Sequence, residues 1–207
     1  MLPNDISYIE DEPALRAIHH APMSRATDKV LNALDQNCRA IIELSPFCVL
    51  ATQGDGGADI TPRGDPPGFV QILDNTHLLI PDRVGNNRFD TLTNLFKNPA
   101  IGLIFLVPGM DETLRINGTA KITDDARLLE VCAMQGRAPK VGLLVTIKEA
   151  FMHCPKAFIR SKLWDPTRHI DRSQLPSYAE ILMAHCAGLT NDENDRQTQV
   201  MAKRGLY

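Results

Sequence analysis

The stretch that decides the fold is Asp59–Leu106, "DITPRGDPPGFVQILDNTHLLIPDRVGNNRFDTLTNLFKNPAIGLIFL". Short β-rich runs, "ADITPRG", "GFVQIL" and "THLLIP", are separated here by the turn signals "DPPG" and "DN". Apolar and β-branched residues bounded by Gly, Pro, Asn and Asp read as strands joined by tight turns. The period then changes. In "NNRFDTLTNLFKNP", Phe89, Leu92, Leu95 and Phe96 fall on one helical face, Asn98-Pro99 closes the helix, and Lys97 suits its negative end. "AIGLIFLV" follows as the kind of apolar run that a fully buried strand shows.

The same texture extends in both directions. Upstream, "FCVLATQ" and the turn "GDGG" precede the stretch. Before them Ser24–Pro46 carries Val30, Leu31, Leu34, Ile41 and Ile42 at helix-compatible spacings, which predicts one helix ending near Ser45. Downstream, "ETLRINGTAKIT" alternates Leu114, Ile116 and, after Gly118, Ala120 and Ile122 as a strand does. "DDARLLEVCAMQG" predicts a helix from a capping Asp to Gly136, "VGLLVTIKEAFMHC" another strand and "PKAFIRSKLWDP" a short helix. "SYAEILMAHCAGL" reads as a terminal helix, and "TNDENDRQTQVMAKRGLY" has too few apolar residues to fold alone.

Six or more short strands, joined mostly by connections too short for crossovers, predict an α+β fold on an antiparallel closed or split barrel. The expected organisation is an N-terminal segment and helix packing on the barrel (1–45), the barrel domain (46–171) and a C-terminal helical extension (172–207).

Bulk composition narrows the chemistry. The chain has 207 residues, 43% hydrophobic and 23% charged, enough to bury a core without disulfide staples. A net charge of −3 gives no general attraction to nucleic acid or anionic membranes, so any anion site must be a local cluster of cations. The five cysteines are scattered with no CxxC pair, as expected of reduced thiols in a cytoplasmic protein. The acidic N-terminal stretch lacks an apolar signal core and no apolar run reaches about 20 residues, so a soluble protein is expected.

The turn "DRVGNNR" places backbone amides at a helix start, with Arg83 before it and Arg88 in its first turn, a pattern suited to phosphate. The alternative is that Asn86 or Asn87 caps the helix and the arginines are solvated. Arg63 strengthens the anion reading, because adjacent strands of a meander would bring it near the end of "HLLIP". "TPRGDPPGF" also serves as a hairpin turn. The pairs His153-Cys154 and His185-Cys186 lack metal-ligand spacing, and a buried thiol beside a surface imidazole is the simpler account, so no metal is expected. GxSxG, GxGxxG and GxxxxGK[ST] are absent, and no residue stands out as catalytic. Arg160 and Trp164, four apart on an expected helix, either pack a core edge or cover a planar ligand.

With these residues in view, "TPRGDPPGFV", "IPDRVGNNRFDTLTN", "IFLVPGMDETLRINGTA" and "IRSKLWDP" together resemble the pyridoxamine 5'-phosphate oxidase-like FMN-binding split-barrel family across most of Phe47–Pro166. The resemblance implies an FMN-dependent oxidoreductase acting on a small organic substrate, with oxygen or a nicotinamide cofactor as second partner. It also implies a homodimer with its sites at the interface. It places Thr61 and Arg63 along the flavin, and Pro81, Asp82, Arg83, Asn86, Asn87 and Arg88 at the phosphate and ribityl chain. The strand from Thr113 to Asn117 would reach the flavin edge from the other subunit, and Arg160 and Trp164 would line the cofactor or substrate side. Two departures stand out. Asn87-Arg88-Phe89 replaces the family's Ser-Arg-Lys-like run, and the Arg–His pair for a substrate phosphate is not recognisable, so a vitamin substrate is not implied. A flavin- or haem-binding carrier or sensor, using one of the His-Cys pairs as axial ligand, is the alternative from another class.

Overall fold

A computed structural model describes residues 2–3 and 5–207; Met1 and Asn4, which the sequence places in the N-terminal segment, lie outside the described residues. The chain divides into two compact units, one up to Val30 and one from Leu31 to Tyr207. The first holds α1 (Glu12–Ile18) and α2 (Ser24–Asp28), and every described residue in it is exposed. The Asp11 carboxylate caps α1 by accepting the Ala14 N–H at 2.8 Å.

The single helix predicted over Ser24–Ser45 is two. Asp35 starts a new helix, α3 (Gln36–Leu44), by accepting the Cys38 N–H at 2.7 Å. Between α2 and α3 the backbone is committed elsewhere: Leu31 exchanges both of its main-chain bonds with Ala150, and the Leu34 N–H donates to Asn75 O. Tertiary pairing of this segment overrides its helical periodicity. α3 then buries Cys38 and Ile42, and Ser45 Oγ ties its end to the carbonyls of Phe47 and Leu106 at 2.7 and 2.8 Å.

The second unit is built on seven antiparallel strands: β1 (Phe47–Gly54), β2 (Gly57–Gly64), β3 (Gln71–Ile72), β4 (His77–Pro81), β5 (Ala100–Leu106), β6 (Thr113–Thr123) and β7 (Gly142–His153). Their order is β2-β1-β5-β6-β7-β4-β3. This is the α+β, split-barrel architecture the sequence predicts, but not a simple meander. β2 and β3 are consecutive in sequence and lie at opposite edges, so "DPPG" is a long-range connection rather than a hairpin turn. The core is formed by inward residues such as Leu50, Leu78, Ile80, Phe105, Leu114 and Ile116, each at most 1% exposed.

One strand expectation changes. β5 is not buried on both faces: Ile101, Leu103 and Phe105 point inward, while Ile104 on the other face is 38% exposed. On β7 the inward alternation Leu143, Val145, Ile147 resumes at Ala150 rather than at Glu149, because the pairing with β6 slips at Asn117/Gly118. The slip is a bulge that leaves Lys148 without a partner and turns two successive charged residues to solvent.

α4 (Asp90–Lys97) packs on β1 through Leu95, Thr91 and the half-buried Leu92. Asn94 Nδ2 donates to Thr52 Oγ1 and Asp59 Oδ2, both at 3.1 Å. Phe96, expected on the inner face, is 81% exposed, because the side-chain bonds of Asn94 set the helix rotation. After α5 (Ala126–Leu129) and β7 come α6 (Lys156–Ser161), α7 (Tyr178–His185) and α8 (Asn191–Arg204). The polar tail, read as too poor in apolar residues to fold alone, is α8 here, capped by Thr190 and in contact with α7.

Candidate functional site

The curl of the sheet creates the site. β2 and β4 are not hydrogen-bonded neighbours, yet Arg63 Nη2 on β2 lies 3.7 Å from Asp82 Oδ1 just beyond β4. The expected proximity of Arg63 to the end of "HLLIP" is therefore real, but it arises from closure of the barrel rather than from strand adjacency. Between these strands and the start of α4 opens a cleft of about 1120 Å³.

One wall of the cleft is the turn 82–89. Asn86 does not cap α4; its Oδ1 accepts the Arg88 N–H at 3.0 Å and so shapes the turn. Asn87 and Phe89 both adopt left-handed conformations, at φ of 60° and 59°. Phe89 occupies the N-cap position, where its side chain offers no acceptor, so α4 presents its first amides to the cleft without a side-chain cap. A bulky residue at positive φ costs on the order of 1–2 kcal/mol, and such strain concentrates at functional sites. Ile60, Val84, Leu92 and Ile122 supply apolar lining.

The cations differ in availability. Arg83 is held hard: Nε donates to Asp65 Oδ2 at 2.6 Å and Nη1 to the Cys132 carbonyl at 2.8 Å. Arg88 pairs with Asp90 at 2.7 Å while its side chain stays 76% exposed, so it can turn toward a ligand at little cost. Asp82 has its carboxyl pushed above the ordinary range by burial, which outweighs the loosely placed Arg63 guanidinium. Burial also raises the Cys132 thiol behind Arg83, although the nearby guanidinium opposes the shift.

Of the residues marked in the sequence, Thr61, Arg63, Asp82, Arg83, Asn86, Asn87 and Arg88 meet in this cleft. Pro81 is buried at the end of β4, beside it. Thr113, Asn117, Arg160 and Trp164 do not line the cleft of this chain. Thr113 is buried opposite His153, and Asn117 donates to Glu149 Oε2 at 2.8 Å. Arg160 and Trp164 share no helical face, because α6 stops at Ser161 and Lys162 turns left-handed at φ 51°. Trp164 instead stacks on Phe158 at 5.7 Å and donates its indole N–H to the Met110 carbonyl at 2.9 Å. It borders a shallow apolar hollow with Phe47, Leu106, Pro108 and Leu163.

Cys154 and Cys186, taken from sequence as buried thiols, are exposed; the buried ones are Cys38, Cys48 and Cys132. Among the described residues no group of three His, Cys, Asp or Glu is placed to hold a metal, and no helix is long and apolar enough to cross a membrane. The sequence reading missed Arg137, Lys140 and Tyr207 in the cleft lining. "GRAPKVG" offered a signal, two cations in a Gly- and Pro-punctuated loop, whereas nothing local marks Tyr207.

Seven antiparallel strands in a split barrel, with a cleft where the sheet closes, define the fold class. A family profile described as pyridoxamine 5'-phosphate oxidase matches residues 34–154, more than half of the chain. The chain belongs to the pyridoxamine 5'-phosphate oxidase family. Among solved structures it is similar to HupZ of Group A Streptococcus, with 20% identity, 57% of this chain and 93% of that one covered, and a TM-score of 0.48. It is also similar to a protein related to general stress protein 26, of the pyridoxinephosphate oxidase family, from Clostridium acetobutylicum: 18% identity, coverage of 56% and 85%, TM-score 0.43. General Stress Protein 26 from Bacillus anthracis matches at 14% identity, coverage of 55% and 88%, TM-score 0.41. No curated protein matches the chain.

Proposed function

We propose that this protein is an FMN-dependent oxidoreductase and that the cleft between β2, the 82–89 turn and α4 holds the cofactor. The observation that carries the reading is an uncapped helix start, with Arg63 and Arg88 beside it, opening onto an apolar wall. FMN has matching needs: a dianionic phosphate that seeks amides and guanidinium groups, and a flat ring that seeks an apolar slot. The cleft volume is ample for a ligand of that size. Family membership supports the reading, since members typically bind flavin and include oxidoreductases.

On this reading the α4 amides, Arg88 and the outer edge of Arg83 hold the phosphate and ribityl chain, and Thr61 and Arg63 flank the ring. Asn86 and Asn87 form the turn, Pro81 and Asp82 fix its base, and Arg83 anchors it to Asp65. When bound, the flavin supplies the hydride or electron transfer to a small organic substrate; the chain binds it, orients it and limits water. The active form is a cytoplasmic homodimer, in which the strand from Thr113 to Asn117 reaches the flavin edge from the second copy and Arg160 and Trp164 line the cofactor or substrate side. The apolar outer face carrying Phe47, Ile104 and Leu163, each at least 38% exposed, supports this pairing.

The test is the visible spectrum of the purified protein loaded with FMN and freed of excess. Flavin bands at roughly 375 and 450 nm that stay with the protein are expected. A preparation that remains colourless after FMN is added overturns the reading. Sedimentation of the loaded protein is expected to give a dimer, and a monomer with full FMN affinity removes the shared-site arrangement.

A further inference from the structure

Tyr207 lines the cleft and is attached to three separate segments at once. Its phenol donates to Asp65 Oδ1 at 2.6 Å, the guanidinium carbon of Arg83 lies 5.3 Å from its ring centroid, and Arg137 Nη1 donates to its main-chain oxygen at 2.9 Å. Asp65 follows β2, Arg83 follows β4, and Arg137 lies in the loop before β7, so one residue ties together segments far apart in sequence. It arrives on α8 through Gly205, whose φ of 73° is a conformation that costs glycine little, which permits a sharp change of direction there.

We propose that Tyr207 is a displaceable latch on the cleft, covering with its ring and main chain two cations, Arg83 and Arg137, that an anionic ligand group competes for. The inference rests on the anion-binding reading of the cleft. Arg83 already gives Nε to Asp65 and Nη1 to Cys132, so the guanidinium face under Tyr207 and its outer edge are what remain for a ligand. Arg137 forms no ion pair among the described residues with a side-chain carboxylate, and its side-chain bond to the main-chain oxygen of Tyr207 is a contact that a phosphate, with several acceptor oxygens, can replace. Asp65, with a side chain 2% exposed, keeps its Arg83 partner when the phenol leaves, so release does not strand a buried carboxylate. A latch of this kind lowers the apparent affinity by the fraction of molecules in which it is open.

The experiment uses the full chain as wild type, Tyr207→Phe and Tyr207→Ala. Each is titrated with FMN by flavin fluorescence, and hydrogen exchange is followed in a peptide covering residues 195–207 with and without FMN or inorganic phosphate. Tyr207→Ala is expected to bind FMN about 5–10-fold more tightly. Tyr207→Phe, which retains the ring but loses the Asp65 bond, is expected to fall between. Exchange near residue 207 is expected to rise when either ligand is added to wild type. Equal or weaker FMN binding by both variants, or exchange that falls on ligand addition, overturns the latch and makes Tyr207 a bystander or part of the binding wall. If none of the three binds FMN, the flavin reading fails. The phosphate arm then decides the latch, and unchanged exchange at saturating phosphate overturns it.

Discussion

Arg83 and Asp65 meet at 2.6 Å, with the Asp65 side chain 2% exposed and Arg83 17%. This pair joins the loop after β2 to the turn after β4, closing the barrel where no strand pairing does so. Removing one partner of such a buried pair leaves an uncompensated charge and costs about 3–5 kcal/mol. Arg83→Ala is therefore expected to lower the melting temperature of the ligand-free protein markedly. Arg88→Ala, removing an exposed pair, is expected to change the unfolding free energy by about 1 kcal/mol or less. Equal melting of Arg83→Ala and wild type contradicts the closing role.

Ligand affinity is expected to sort the arginines differently. Arg88→Ala and Arg63→Ala each lose one charge-assisted contact, which weakens FMN binding by about 1.5–3 kcal/mol. Fluorescence titration at fixed salt reads this directly. Unchanged affinity in Arg88→Ala places the phosphate elsewhere, and unchanged affinity in Arg63→Ala removes Arg63 from the ring.

Gly118 sits at the β6–β7 slip, where an added Cβ would lie 2.1 Å from the Thr146 carbonyl oxygen. That atom is backbone held in the ladder and cannot swing away. Gly118→Ala is expected to destabilise the protein by about 3 kcal/mol, measured by urea unfolding. A loss below about 0.5 kcal/mol is the result that contradicts this packing.

Asp74 closes the β3–β4 hairpin. Its Oδ1 accepts the Thr76 N–H at 2.6 Å and hydroxyl at 2.8 Å, which with His77 holds its carboxyl down at about 2. A depressed folded-state value means that this stabilisation is present above the ordinary carboxyl value of 3.8 and is lost as pH falls toward 2. Asp74→Ala is expected to flatten that part of the stability profile between pH 4 and pH 2. Because Asp125 shifts in the same direction, part of the slope remains. An acid-unfolding curve parallel to wild type rejects the Asp74 contribution.

Thiol chemistry separates the five cysteines. Burial pushes the Cys38 thiol up to about 11 and Cys48 up to about 12, and raises Cys132 as well, so all three are both shielded and protonated near neutrality. Cys154 and Cys186 are exposed. Ellman's reagent at pH 8 is expected to modify two thiols rapidly in the native protein and all five after denaturation, and rapid modification of more than two is inconsistent with the buried set.

Much of this was legible in the chain. Turn chemistry marked the "GDGG" and "DN" hairpins, β-rich composition marked β1 and β4, alternation marked β6, and the Asn98-Pro99 stop marked the end of α4, because these signals act over a few residues. The Gly-Asn-Asn turn and its arginines marked one wall of the cleft for the same reason. Where the reading failed, a long-range contact had overruled a local preference. Leu31 pairs with Ala150 instead of continuing a helix, Asn94 rotates α4 so that Phe96 faces out, and Lys162 ends α6 before Trp164 can share a face with Arg160.

The sequence by itself determined the inventory: an antiparallel α+β barrel, its turns, and which cations lie near a helix start. Only the tertiary structure decided how those cations are used. Curling of the sheet brings β2 against the end of β4, which lets Asp65 claim Arg83, leaves Arg63 loosely facing Asp82, and draws in Arg137, Lys140 and Tyr207 from distant segments. Coulomb pairing and burial depend on distances through space, which local patterning does not encode.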